Sequence, residues 1–108
     1  MNVQPFSPVF GSTIAIVPTG SNSVATFTAS QAIAANCVRI VNKSNVDIAV
    51  EFGSSTAVAT FPTPGTPGDM VVPAGATEIF SKGSGVTSVA LVGSSATGSV
   101  YLTPGEGQ

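Results

Sequence analysis

The chain has 108 residues, of which 7% are charged and 43% hydrophobic, with a formal net charge of −2. That length bounds it to one domain able to bury a core without disulfides. Three Lys and Arg in all exclude a basic face for nucleic acid, and the absence of histidine removes the commonest general base and metal ligand. Charge stands far below the roughly 25% of an ordinary soluble domain. Ser and Thr fill 26 positions, with 12 Gly and 8 Pro besides. Such a chain either presents a neutral polar surface or buries much of its surface against partners, the second being preferred. Disorder is argued against by hydrophobic content spread as Val, Ile, Ala and Phe.

Residues 1–12 (MNVQPFSPVFGS) read as an extended arm. Pro5 and Pro8 fix φ and prevent helix or central strand, while Val3, Phe6, Val9 and Phe10 give the arm apolar teeth. It either folds back over its own domain or lies on a neighbouring subunit, and the sequence leaves both open. It lacks the positive and apolar regions of a signal peptide, so synthesis in a cytoplasm is expected. No apolar run approaches the ~20 residues that span a bilayer.

Thr13–Val17 and Ser23–Ala29 are read as strands, and 30–36 (SQAIAAN) as a single helical turn or irregular crossover, too short to nucleate a helix alone. The stretch 37–52 (CVRIVNKSNVDIAVEF) has the alternation of two half-buried strands around turn residues 42–45, and predicts a β-hairpin. Parity favours a register with Val38 facing Phe52, Ile40 facing Val50 and Asn42 facing Ile48. Arg39 then meets Glu51, and Lys43 meets Asp47, as exposed ion pairs. Cys37, the single cysteine, is expected to be a small packed side chain and not a reactive thiol.

Residues 56–61 (TAVATF) are a further candidate strand. The 62–68 segment (PTPGTPG), with Pro62, Pro64 and Pro67, reads as a projecting, partly polyproline-like loop that is a possible contact surface. Asp69–Val72 and Ala76–Phe80 are predicted to pair as a hairpin around the 73–75 turn, followed by strands at Val86–Val92 and Ser99–Thr103. The last residues, 104–108, form a tail containing Pro104 and Glu106 that is expected not to continue a ladder.

About eight short strands at a spacing of about ten residues predict an all-β, single-domain antiparallel β-sandwich, jelly-roll-like or immunoglobulin-like, over residues 13–103. The expected core is Ile14, Ile16, Phe27, Val38, Ile40, Val50, Phe52, Ile79, Val89, Leu91, Val100 and Leu102. No constellation for chemistry emerges. The carboxylates Asp47, Glu51, Asp69, Glu78 and Glu106 are scattered, the chain has no Trp and one Tyr, and no serine has a base nearby. The glycine clusters at 83–85 and 93–98 lack the Lys and helix of a phosphate loop. The expectation is therefore no enzyme, no cofactor, no metal and no small-molecule substrate, with neither nucleic acid nor membrane as partner.

The order of three segments carries a resemblance. Val38–Gly53 (VRIVNKSNVDIAVEFG), Asp69–Gly75 (DMVVPAG) and Val100–Gly107 (VYLTPGEG) together resemble small structural proteins of tailed bacteriophages. With the strands between them they cover roughly two thirds of the chain. What the resemblance implies is a virion component on the capsid surface that decorates or cements the shell. It would bind across major capsid protein subunits and stabilise the head, through arm residues Val3, Pro5, Phe6, Pro8, Val9 and Phe10 and the tail. Other copies of the chain are expected partners, a trimer being favoured over a dimer because shells offer three-fold sites. A phage tail, head-fibre or host-contact module is the alternative, and a cell-surface carbohydrate-binding or adhesion module a second.

Overall fold

A computed structural model describes residues 6–107. Nine strands and one short helix follow in order: β1 (Ser7–Pro8), β2 (Ile14–Ile16), β3 (Ser23–Thr26), α1 (Ser30–Ala34), β4 (Cys37–Asn42), β5 (Ile48–Gly53), β6 (Met70–Val72), β7 (Thr77–Ser81), β8 (Ser88–Val92) and β9 (Val100–Glu106). They form two antiparallel sheets. In the first, β9 lies between β4 and a flank shared by β1 and β2, with β7 outside β4; the second runs β3-β8-β5-β6. The all-β sandwich read from strand spacing is the observed fold.

The pairing is nested. β5 pairs β6, β4 pairs β7, β3 pairs β8 and β2 pairs β9, as in one long ribbon doubled back at the 54–69 connection. Rolling that ribbon brings β9 against β4 and β8 against β5, which makes two sheets of it. This is a jelly roll, not an immunoglobulin topology.

Nesting overturns both expected hairpins. β4 and β5 lie in different sheets, as do β6 and β7, so residues 43–47 and 73–76 cross between layers. Alternation reports which face of a strand is buried, and it is blind to which strand lies alongside. Arg39 consequently stands opposite Ile79 and Thr103, and Glu51 opposite Ala90. Neither expected ion pair forms. Asp47 Oδ1 instead accepts the Ala74 N–H at 2.9 Å and tethers the second crossover to the first.

Two more expectations are corrected. Residues 56–61 are not a strand. β9 runs on through Pro104 to Glu106, pairing β4 from Val100 to Gly105 and β1 at its end. Proline is tolerated there because the flank of β9 passes from β2 to β1 at this point. The missing N–H falls near that break, while the Pro104 carbonyl accepts the Val9 N–H at 2.9 Å.

The core fills the space between the sheets with Ala25, Phe27, Ala32, Val38, Ile40, Ile48, Val50, Val72, Val89, Leu91, Val100 and Leu102; Ile14, Ile16, Phe52 and Phe80 pack partly buried against it. Ile40, Ile48, Leu91 and Leu102 are wholly buried, each contributing roughly 2 kcal/mol of transfer free energy. Ile79 is the exception among the expected core residues. It lies opposite outward-facing Arg39 and is 52% exposed; Phe80, opposite Val38, points inward and stacks tilted on Phe52 at 5.9 Å.

The outward face of the second sheet is covered too. Ala49 and Ala90 alternate with core residues, so they point away from the core, and yet both are fully buried. Residues 57–60 lie across them. Asn22, just before edge strand β3, donates from Nδ2 to the Ala57 carbonyl and accepts the Ala59 N–H, while the Thr60 N–H donates to Asp69 Oδ2 at 2.7 Å. Ala59 is buried beneath this crossing.

Candidate partner-binding surface

Val3 and Pro5 lie outside the described residues. The rest of the arm and the C-terminal segment come together as one surface. Ser7 and Pro8 pair with Glu106 and Gly105, and Phe6 rests on the bare backbone of Gly105. A Cβ at Gly105 would lie 2.5 Å from Phe6 Cζ and 2.6 Å from the Ser7 carbonyl oxygen, so only glycine admits the arm. Gly107 is pinned as well. Asn36 donates from Nδ2 to the Gly107 carbonyl and accepts the Gly107 N–H, both at 3.1 Å. Cys37 is buried, with its Sγ 3.3 Å from where a Cβ on Gly107 would stand.

Beneath this end, Lys82 is buried, and among the described residues no carboxylate contacts it. Its Nζ donates to the carbonyls of Val86 at 2.9 Å, Ile33 at 3.1 Å and Gly83 at 3.5 Å, and stands 5.9 Å from the Phe27 ring centre. Burial pushes the Lys82 ammonium below its usual pKa, while Glu106 and Cys37 nearby pull it back up. The three carbonyls belong to α1 and the 83–86 turn, so Lys82 locks the helix beneath the arm. Nothing in the sequence around it distinguishes this lysine from an exposed one.

Above, the chain turns at Phe10 and Gly11, where Gly11 takes φ +79°, and Phe10 is presented to solvent at 91% exposure. A groove of about 440 Å³ runs beside it, lined by Ser7, Pro8, Val9, Phe10, Gln31, Ala34 and Glu106. Its walls are the arm, α1 and the end of β9. Of the two tail residues singled out in the sequence, Glu106 lines this groove, whereas Pro104 is completely buried inside the sheet.

The proline loop is a separate feature, belonging to the second sheet. Thr63 and Thr66 exchange backbone hydrogen bonds at 3.1 and 2.9 Å, closing a tip with Gly65 at φ +83°. Pro64 and Pro67 are exposed on that tip and Pro62 is half-buried. The loop is tied down behind the tip, and only residues 63–67 stand out.

Among the described residues no cluster of three His, Cys, Asp or Glu could hold a metal ion, and no helix is long and apolar enough to cross a membrane. Among the described residues, Glu51 and Asp69 come one step past the Val50–Met70 pair of the β5–β6 ladder, and the neighbouring Asp69 pushes the Glu51 carboxyl above its usual pKa. What the arm–tail groove can do chemically is receive an apolar side chain and meet its polar edge with Glu106 and Gln31. No family model, no curated protein and no solved structure matches the chain.

Proposed function

We propose that this protein is a non-enzymatic virion structural protein that decorates the capsid shell of a tailed phage, binding across major capsid protein subunits through the surface built by arm and tail. The observation that carries the reading is the joining of those two segments, far apart in sequence, into one groove with an exposed Phe10 beside it. Fold alone does not select this role, because jelly rolls serve viral capsids and lectins alike. The charge-poor composition supports it, since such a surface suits burial against partners. A module that binds the assembled shell and not its dissociated subunits stabilises the shell by mass action, and repeated copies add through effective concentration.

Phe10 is the residue to test, because its exposure means that Phe10→Ser leaves the fold intact. The variant should lose co-sedimentation with expanded shells while keeping the circular dichroism of the parent. Unchanged sedimentation would remove the arm–tail surface from the reading. The exposed 63–67 tip favours a second reading, a tail or host-contact module. Antibody labelling of virions separates the two: many sites over the head support decoration, whereas labelling confined to the tail supports host contact.

A further inference from the structure

We infer that β7 is a pairing edge for a second copy of the chain: the β7 strands of two copies run antiparallel about a two-fold axis through Ile79 and join two five-stranded sheets into one. The flanks of the two sheets differ. β1 is two residues long and ends on Pro8, while β2 and β6 have three residues each, β6 being followed at once by Pro73. β3 has four, with Asn22 before it holding the 57–60 crossing. Short strands, proline and covering chain are the means by which natural sheets blunt an edge. β7 has none of them. It is five residues long, contains no proline, and leaves Thr77, Glu78, Ile79 and Ser81 exposed.

Backbone parity fixes which groups that edge offers. The Asn42 N–H donates to the Ala76 carbonyl, and the Lys82 N–H donates to the Asn36 carbonyl, both at 2.9 Å. These contacts bracket the β4–β7 ladder, whose register sets Ile40 against Glu78 and Val38 against Phe80. Hydrogen-bonded and non-hydrogen-bonded pairs alternate along an antiparallel ladder. Ala76, Glu78, Phe80 and Lys82 therefore turn their backbone groups to β4, and Thr77, Ile79 and Ser81 turn theirs to the open edge. A two-fold centred on Ile79 engages all three. Ile79 exchanges both bonds with the second copy's Ile79, Thr77 does so with its Ser81, and Glu78 meets its Phe80. Moving the centre to Glu78 would oppose two like charges and carry Ser81 to Gly75; moving it to Phe80 would carry Thr77 to Gly83. Both glycines lie outside β7 at positive φ. The side chains agree with the backbone. Ile79, 52% exposed on the outward face, gains an apolar neighbour in the second copy's Ile79. The edge lies across the sheet from β1 and β2, so the arm–tail surface of each copy stays open.

Light scattering across a concentration series gives the mass of the intact protein in solution. A dimer is expected, with the Thr77, Ile79 and Ser81 amides protected from hydrogen exchange within it and unprotected on dilution. Ile79→Lys brings two positive charges together at the axis and should raise the dimer dissociation constant about a hundredfold. Ile79→Pro removes an N–H that β4 does not use, and should abolish the dimer while the circular dichroism stays that of the parent. A protein that is monomeric up to about 1 mM overturns the pairing. So does a trimer, because a three-fold axis cannot pair an edge with itself. A dimer that survives Ile79→Lys, or in which those three amides exchange freely, overturns it as well.

Discussion

Asn42 ends β4 with no exposed surface, and every polar atom of its side chain is engaged. Nδ2 donates to the carbonyls of Val46, Val72 and Pro73, and Oδ1 accepts from the Ser44 N–H and, at 2.6 Å, from the Ser44 hydroxyl. One amide thus binds both crossovers between the sheets. Asn42→Ala leaves buried carbonyls unsatisfied, and a loss of about 3 kcal/mol is expected in urea unfolding. Asn42→Asp should cost more, because a carboxylate would face three carbonyls with no proton to donate. In the sequence this residue reads only as a turn former. Its central place depends on three strand ends meeting around it, which no local pattern reports.

At the scale of elements, two glycines decide where covering segments lie. A Cβ at Gly105 collides with Phe6 and Ser7, and one at Gly68 would stand 2.5 Å from Pro62 N and 2.6 Å from the Thr60 carbonyl oxygen. Gly105→Ala should release the arm from β9 and speed exchange of the Val9 amide. The core strands should remain protected, for a loss of about 1–3 kcal/mol. The same magnitude is expected for Ala90→Leu, measured by thermal unfolding, because its added methyls meet the 57–60 crossing where an uncovered sheet face would accept them. Strand existence was legible from alternation and turn residues. The lengths of β6 and β9, and the loss of the 56–61 strand, were not, because they depend on what lies alongside.

For the whole molecule, the nested ribbon has a consequence for folding. Every ladder of the described residues joins a strand before the 54–69 connection to one after it. Neither half contains a pair of its own, so neither should fold in isolation. A protease site placed between Pro64 and Gly65 should yield two fragments that co-elute as one folded species and separate only in denaturant. Dissociation into disordered pieces under native conditions would contradict the nesting. Such long-range pairing also predicts folding in milliseconds to seconds.

By itself the sequence determined the all-β class, the positions of most strands and most of the core, because a period of two and the turn residues between strands are local properties of the chain. It marked arm and tail as segments to watch, and it was right that Phe27, Val38, Ile40, Leu91 and Leu102 are buried together. Only the tertiary structure decided that neighbouring strands part into opposite sheets, that Pro104 lies within a ladder, that Lys82 is buried, and that Glu51 meets Asp69 and not Arg39. The physical reason is common to all four. Each depends on which distant segment is brought alongside, and the backbone hydrogen bonds that choose it are chemically the same at nearly every residue.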